Sequence, residues 1–251
     1  VLQRYIDQTQ AIIRDTQGLF VPLNTLISYI NEARETTAEL TGCIEVLVAG
    51  TPPFGTGAQA GTAIVGGAIP GQNPNSTFQT INGQECYPFQ GFANPYLKAQ
   101  YGGAKGIIDV VTVSVSWGGA FRPSLDWMPW EEFQSQLRAN QILVTTYPSV
   151  FSVLNAGENG QVYLFPVPQG SNEMEWQCLV QPAPIYTDSD PELIPSPFRN
   201  AIQYYAAGKC YEASQRNGQA QLMYGRWADM CGLNRGAADR GKVPSRYPLA
   251  I

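Results

Sequence analysis

Histidine is missing from all 251 residues. Its absence removes the commonest general base, the commonest zinc ligand, and the Ser-His and Cys-His nucleophile pairs together. Long apolar runs are missing too, since no stretch approaches the roughly 18 residues that a membrane span needs. The opening VLQRYIDQTQ lacks the basic-then-apolar order of a signal peptide, and without an initiator Met it reads as trimmed. Gly55, Gly57 and Gly61 do not have dinucleotide-binding spacing, and no Gly-Lys-Ser/Thr follows them. The five cysteines, Cys43, Cys86, Cys178, Cys210 and Cys231, are odd in number, far apart and set in apolar stretches. Buried free thiols in a reducing compartment are expected rather than a disulfide framework. No catalytic residue, cofactor site or metal site is expected from this inventory.

Charge is scarce and uneven. Residues 171–195 carry five acids and no base, whereas 196–251 carry eight bases against three acids. Such blocks attract, within one chain or between neighbouring copies.

What the chain does contain is helical periodicity at both ends. Leu2, Tyr5, Ile6, Thr9, Ile12 and Ile13 predict an amphipathic helix over 2–15 that ends near Gly18. Pro22 opens a second, whose Leu23, Leu26, Ile27, Ile30, Ala33 and Thr37 keep the spacing until Gly42. A third is led by Pro197 and carries Phe198, Ala201, Ile202, Tyr205 and Gly208. A fourth follows a break at Asn217-Gly218 and carries Ala220, Met223, Tyr224, Trp227, Met230 and Cys231 to about Leu233. Helices this short need partners to be stable in water, so the two pairs are expected to close on each other.

Between them the pattern changes. Val48 to Pro74 is rich in Gly, Pro, Thr and Ala without a helical period and predicts turns, strands or an extended arm. Thr77–Phe89 is a hairpin candidate around Asn82-Gly83, and Ile107–Trp117 alternates as a half-buried strand. A short helix is expected at Pro129–Asn140. Strands follow at 142–154, Gly160–Pro168 and Met174–Pro182, the last two paired across Gly170-Ser171. The expected fold is therefore α+β: a terminal four-helix bundle with an inserted β-rich domain and an extended C-terminal tail. The boundaries are 1–43 and 196–234 for the halves of the bundle, 44–195 for the insert, and 235–251 for the tail.

Several residues invite a functional reading. Glu173 and Glu175 share a strand face beside Trp176, which with Trp117, Trp127 and Trp130 suggests carbohydrate binding or hydrolysis; a solvated strand face is the simpler account. Tyr204, Tyr205, Tyr211 and Tyr224 lack interleaved bases and read as packing residues rather than a stacking platform. The basic tail, with Arg235, Arg240, Lys242, Arg246 and Tyr247, suits a solvated terminus, docking onto a protein neighbour, or phosphate contact with nucleic acid.

The outer quarters of the chain resemble a known family. LISYINEARETTAELTGC, Leu26 to Cys43, preceded by a helix ending in IIRD, is similar to the opening of head-to-tail adaptor proteins of short-tailed bacteriophages. YLFPVPQG, then IPSPFRNAIQYYAAGKCYEASQRNGQAQLMYGRW and a closing PSRYP, match that family's Pro-x-Pro strand, proline-led helix and final helix. The resemblance covers about 1–43 and 160–247. It implies a non-enzymatic virion protein of the neck or tail, assembled in the host cytoplasm. It further implies a ring, typically of twelve subunits, beneath the portal protein, offering a platform to the tail nozzle while genomic DNA passes through the lumen without sequence readout. By the same analogy the segment from Arg235 to Ile251 reaches onto the portal. Another tail ring, such as a nozzle subunit, is the alternative within the same class.

Overall fold

A computed structural model describes residues 1–15, 20–49, 78–116, 122–137 and 147–238, with Leu137 and 233–238 described by their backbone alone. Helices α1 (Leu2–Ile13) and α2 (Leu23–Thr41) are followed by strands β1 (Glu45–Ala49) and β2 (Cys86–Pro88). A π turn at Phe89–Ala93 runs into α3 (Asn94–Gln100), then β3 (Ala104–Val115), β4 (Asp126–Trp127) and α4 (Trp130–Glu132), which continues as a second π turn over Phe133–Leu137. Strands β5 (Val150–Leu154), β6 (Gln161–Phe165) and β7 (Met174–Pro182) precede the helices α5 (Ser196–Ala213) and α6 (Asn217–Ala238). Helices and sheets both contribute, an α+β composition. The chain divides into two compact units, one from Val1–Ile44 and Pro182–Ile251, the other Glu45–Gln181.

In the helical unit, α1 buries Leu2, Tyr5, Ile6, Thr9 and Ile13, the stripe that its sequence spacing demands. It stops at Arg14, which takes the left-handed conformation (φ 57°); Gly18, the expected stop, lies outside the described residues. Helix α2 ends as its sequence requires, with Gly42 at φ 59° donating its N–H to Ala38 O at 2.9 Å. Helix α5 packs against α1, α2 and α6. Its Gly208 is there for contact: a Cβ at that position would stand 2.6 Å from the Tyr224 ring of α6. Tyr211 Oη donates to Ile12 O at 3.2 Å, and Trp227 Nε1 donates to Thr37 Oγ1 at 3.0 Å, tying α5 to α1 and α6 to α2. Trp227, Tyr224 and Met230 are half-buried, while Ala220, Met223 and Cys231 are buried.

Two boundaries differ from expectation. Helix α6 runs on to Ala238, so Arg235 lies in its final turns and not in an extended tail; nothing between Leu233 and Ala238 breaks a helix, and Gly236 lowers helix propensity by only about 1 kcal/mol. The acidic segment 182–195, assigned by sequence to the insert, belongs to the helical unit. Side chains of α2 hold it there, as described below.

The strand-rich unit contains a three-stranded sheet in the order β1-β7-β3 and a four-stranded sheet in the order β2-β6-β5-β4. Antiparallel β1 and β7 pair with Val48 opposite Trp176. Around buried Trp176 stand Phe78 (5.1 Å), Phe92 (5.9 Å) and Phe89 (6.3 Å), the aromatic centre of this unit. Gly160 admits Phe89, since a Cβ there would stand only 2.1 Å from the ring. The outer edge of β1 is closed by α3 and its cap: Gln100 Nε2 donates to Ala49 O and Tyr101 Oη donates to Leu47 O at 3.2 Å.

The expected strand pairings change here. β6 and β7 lie in different sheets rather than forming a hairpin. Pro166 and Pro168 have no N–H to donate, so the β6 ladder ends at Phe165 and the chain crosses to the other sheet. The Asn82-Gly83 turn is present, with Gly83 at φ 76°, but its arms also diverge: Gln79 bridges to Glu173 while β2 pairs with β6. Trp117 and most of the stretches 48–74 and 138–146 lie outside the described residues.

Candidate functional site

The densest polar constellation centres on Arg34 of α2, whose side chain is 0% exposed. Its Nε and Nη2 fork onto Glu192 Oε2 and Oε1, both at 3.0 Å, and Nη1 reaches Ala183 O at 2.7 Å and Asn31 Oδ1 at 3.2 Å. Asn31, one turn earlier on the same face, clamps Ile185 from both sides: Nδ2 donates to Ile185 O (3.0 Å) and Oδ1 accepts Ile185 N–H (2.9 Å). Glu192, only 2% exposed, also accepts from Tyr5 Oη (3.1 Å) and Ile194 N–H (2.9 Å). Burial first, and the Glu192 charge second, push the Tyr5 phenol well above its usual range. These bonds all run to protein groups and join α2 and Tyr5 of α1 to residues 183–194, so the cluster positions the 182–195 segment.

What that segment displays is different. Past the Asn31 clamp, Asp190 Oδ2 accepts the N–H groups of Tyr186 (2.6 Å) and Thr187 (2.7 Å), and Asp188 Oδ1 accepts the Gln3 N–H at 2.8 Å. The short loop is held at three points and presents Tyr186 with 68% of its surface exposed. A second surface lies at the other end of α1. There Asp15 Oδ2 accepts the N–H groups of Phe20 (2.8 Å) and Val21 (3.1 Å), setting one wall of a groove of about 290 Å³. Pro22 with Thr25 and Tyr29 of α2, and Cys210 and Ala213 of α5 with its cap Ser214, line the rest. Phe20 is 41% exposed, and the Arg216 guanidinium stands 5.6 Å from its ring. No motif or periodic stripe in the sequence marks Tyr186, Phe20 or Arg216. The signal that the sequence does carry there is the acidic block around Tyr186.

The residues singled out from sequence fare differently. Glu173 and Glu175 do share a strand face, but it is the face opposite the Trp176 ring, and both bind the guanidinium of Arg122. They hold a cation between them instead of flanking an open cleft. Trp130 packs at 4.6 Å from Tyr163 and 5.8 Å from Phe133. Tyr205 contacts Tyr224 (5.4 Å) and Trp227 (5.0 Å), and Tyr211 is buried: these tyrosines pack the helices. All five cysteines are free thiols. Burial pushes Cys210 and Cys231 up to about 12 and Cys178 well above its ordinary value, so these stay protonated near neutrality. Among the described residues no group of His, Cys, Asp and Glu could hold a metal ion, and no helix is long and apolar enough to cross a membrane. Arg235 is described only by its backbone in α6, and Arg240, Lys242, Arg246 and Tyr247 lie outside the described residues.

Helices from both chain ends thus share one unit, and the strands make up most of a second. The family comparison defines the class as a phage adaptor, a virion structural protein. The family model described as SU10 adaptor protein matches residues 3–247, and the chain belongs to that family. None of the curated proteins matches it.

Proposed function

We propose that this phage adaptor is a head-to-tail adaptor without enzymatic activity, assembling as a homo-oligomeric ring between the portal protein and the tail nozzle in the virion neck. The family match across 3–247 carries the reading. In it, α1, α2, α5 and α6 act as a four-helix bundle that carries the strand-rich unit as an insert, and twelve copies surround the channel through which DNA passes. The basic end of the chain, Arg235, Arg240, Lys242, Arg246 and Tyr247, docks on the portal. The fixed 182–195 segment supports a contact role, because a surface held rigid before assembly loses less entropy on binding. Assembly takes place in the host cytoplasm.

Purified protein mixed with purified portal tests this by particle mass and negative-stain imaging. A ring seated on the portal is expected. A chain that stays monomeric and never joins the portal overturns the reading.

A further inference from the structure

Tyr186 and the Phe20 groove stand apart on the helical unit. The Tyr186 loop is fixed at the N-terminal end of α1 through Asp188 and Gln3, whereas the groove is built beyond its C-terminal end through Asp15. Twelve residues of helix, at about 1.5 Å each, separate the two by roughly 18 Å along that axis. They also differ in direction: Asn31, which clamps Ile185, and Tyr29, which lines the groove, are two residues apart on α2 and thus about 200° around it. Held this way, a chain's own Tyr186 does not fill its own groove, as the 68% exposure of the ring records.

The two features nevertheless match. A large aromatic on a preorganised loop is the residue type that dominates interface energies, and an apolar groove with an exposed Phe beside it is the surface that receives such a residue. Their charges are opposite: Asp188 and Asp190 follow the tyrosine in its loop, while the Arg216 guanidinium lies 5.6 Å from the ring of Phe20, which lines the groove. We propose that Tyr186 of one copy seats in the Phe20 groove of the next copy, with Asp188 toward Arg216. A knob and a groove on different faces make a heterologous contact, and a heterologous contact repeated with closure generates a ring. The inference rests on the ring reading above and names the surfaces that would build it.

The test uses the full-length chain assembled on portal. A benzophenone photocrosslinker in place of Tyr186 should join the Phe20–Tyr29 or Cys210–Ser214 peptide of a different copy, which mixing isotope-labelled with unlabelled chains distinguishes. Tyr186→Ala, and separately Ala213→Trp to fill the groove, should each raise the concentration needed for ring formation at least about tenfold. Both positions are exposed, and unchanged helical circular dichroism checks the fold of each variant. Mixing the two variants should give pairs without rings, because the intact knob of one meets the open groove of the other only once. Rings that persist in both variants, or crosslinks within one chain or onto the portal, overturn the contact and leave the ring reading standing. Wild-type protein that forms no ring on the portal overturns both.

Discussion

A guanidinium with no solvent exposure is stable only where its N–H groups find acceptors, and Arg34 finds them in Glu192, Asn31 and Ala183. Removing it would leave the Glu192 carboxylate buried and uncompensated. Arg34→Ala should therefore cost about 3–5 kcal/mol in urea unfolding. Arg34→Lys should recover less than half of that, since one ammonium cannot reproduce the planar fork. A loss below about 1 kcal/mol for the alanine variant would show that the pair is not buried in solution. The cysteines make a second residue-scale prediction. Cys210 and Cys231 are raised from an ordinary 9.0 to about 12 by burial. A folded-state pKa above the unfolded one means the native chain binds the proton more tightly. The stability contribution is then whole below pH 9 and is lost as pH rises toward 12. Urea midpoints should fall between pH 9 and 10.5 and fall less steeply in Cys231→Ala; a midpoint flat over that window would refute the shift. The Tyr-Ile-Asn-x-Ala-Arg string was visible in the sequence, but its meaning was not, because Glu192 lies 158 residues from Arg34.

At the scale of elements, glycine in a helix means opposite things at two positions. Gly208 of α5 faces the Tyr224 ring, and Gly225 of α6 has nothing within 4 Å of where a Cβ would stand. Propensity alone favours alanine at both by about 1 kcal/mol. Gly208→Ala should instead destabilise, by about 1–3 kcal/mol, as the added carbon drives the two helices apart. Gly225→Ala should stabilise by up to about 1 kcal/mol. Thermal unfolding of the pair decides this, and equal signs would mean that α5 and α6 do not approach as described. The helices were legible because burial follows a period the sequence carries locally, as in Leu2, Tyr5, Ile6 and Thr9. Strand pairing was not, because partners are chosen at long range. Nothing near Gln79 points to Glu173, and nothing in β6 reveals that Pro166 sends β7 to another sheet. Helix α3 went unread because seven residues behind a π turn hold too few repeats to show a period. Tyr186 went unread because exposure is a property of the folded loop.

At the scale of the whole molecule, the strand-rich unit enters and leaves through neighbouring strands. Glu45 of β1 pairs with Leu179 of β7, so the chain departs from the helices and returns to them on adjacent antiparallel strands, about 5 Å apart. The helical unit keeps its interior without the excursion: Arg34, Asn31, Ala183, Ile185 and Glu192 all lie within 1–44 and 182–251. Joining Ile44 to Pro182 through a short Gly-Ser linker should therefore give a chain that folds alone. It is expected to be helical by circular dichroism and to unfold in urea as one cooperative transition, with Arg34→Ala destabilising it by about the same 3–5 kcal/mol as in the full chain. Loss of about equal size in both backgrounds would mean that the polar cluster works inside one unit. A linked chain with helical signal but no cooperative transition would mean that the helices depend on the strand-rich unit for their packing, and the two units would then be one folding domain.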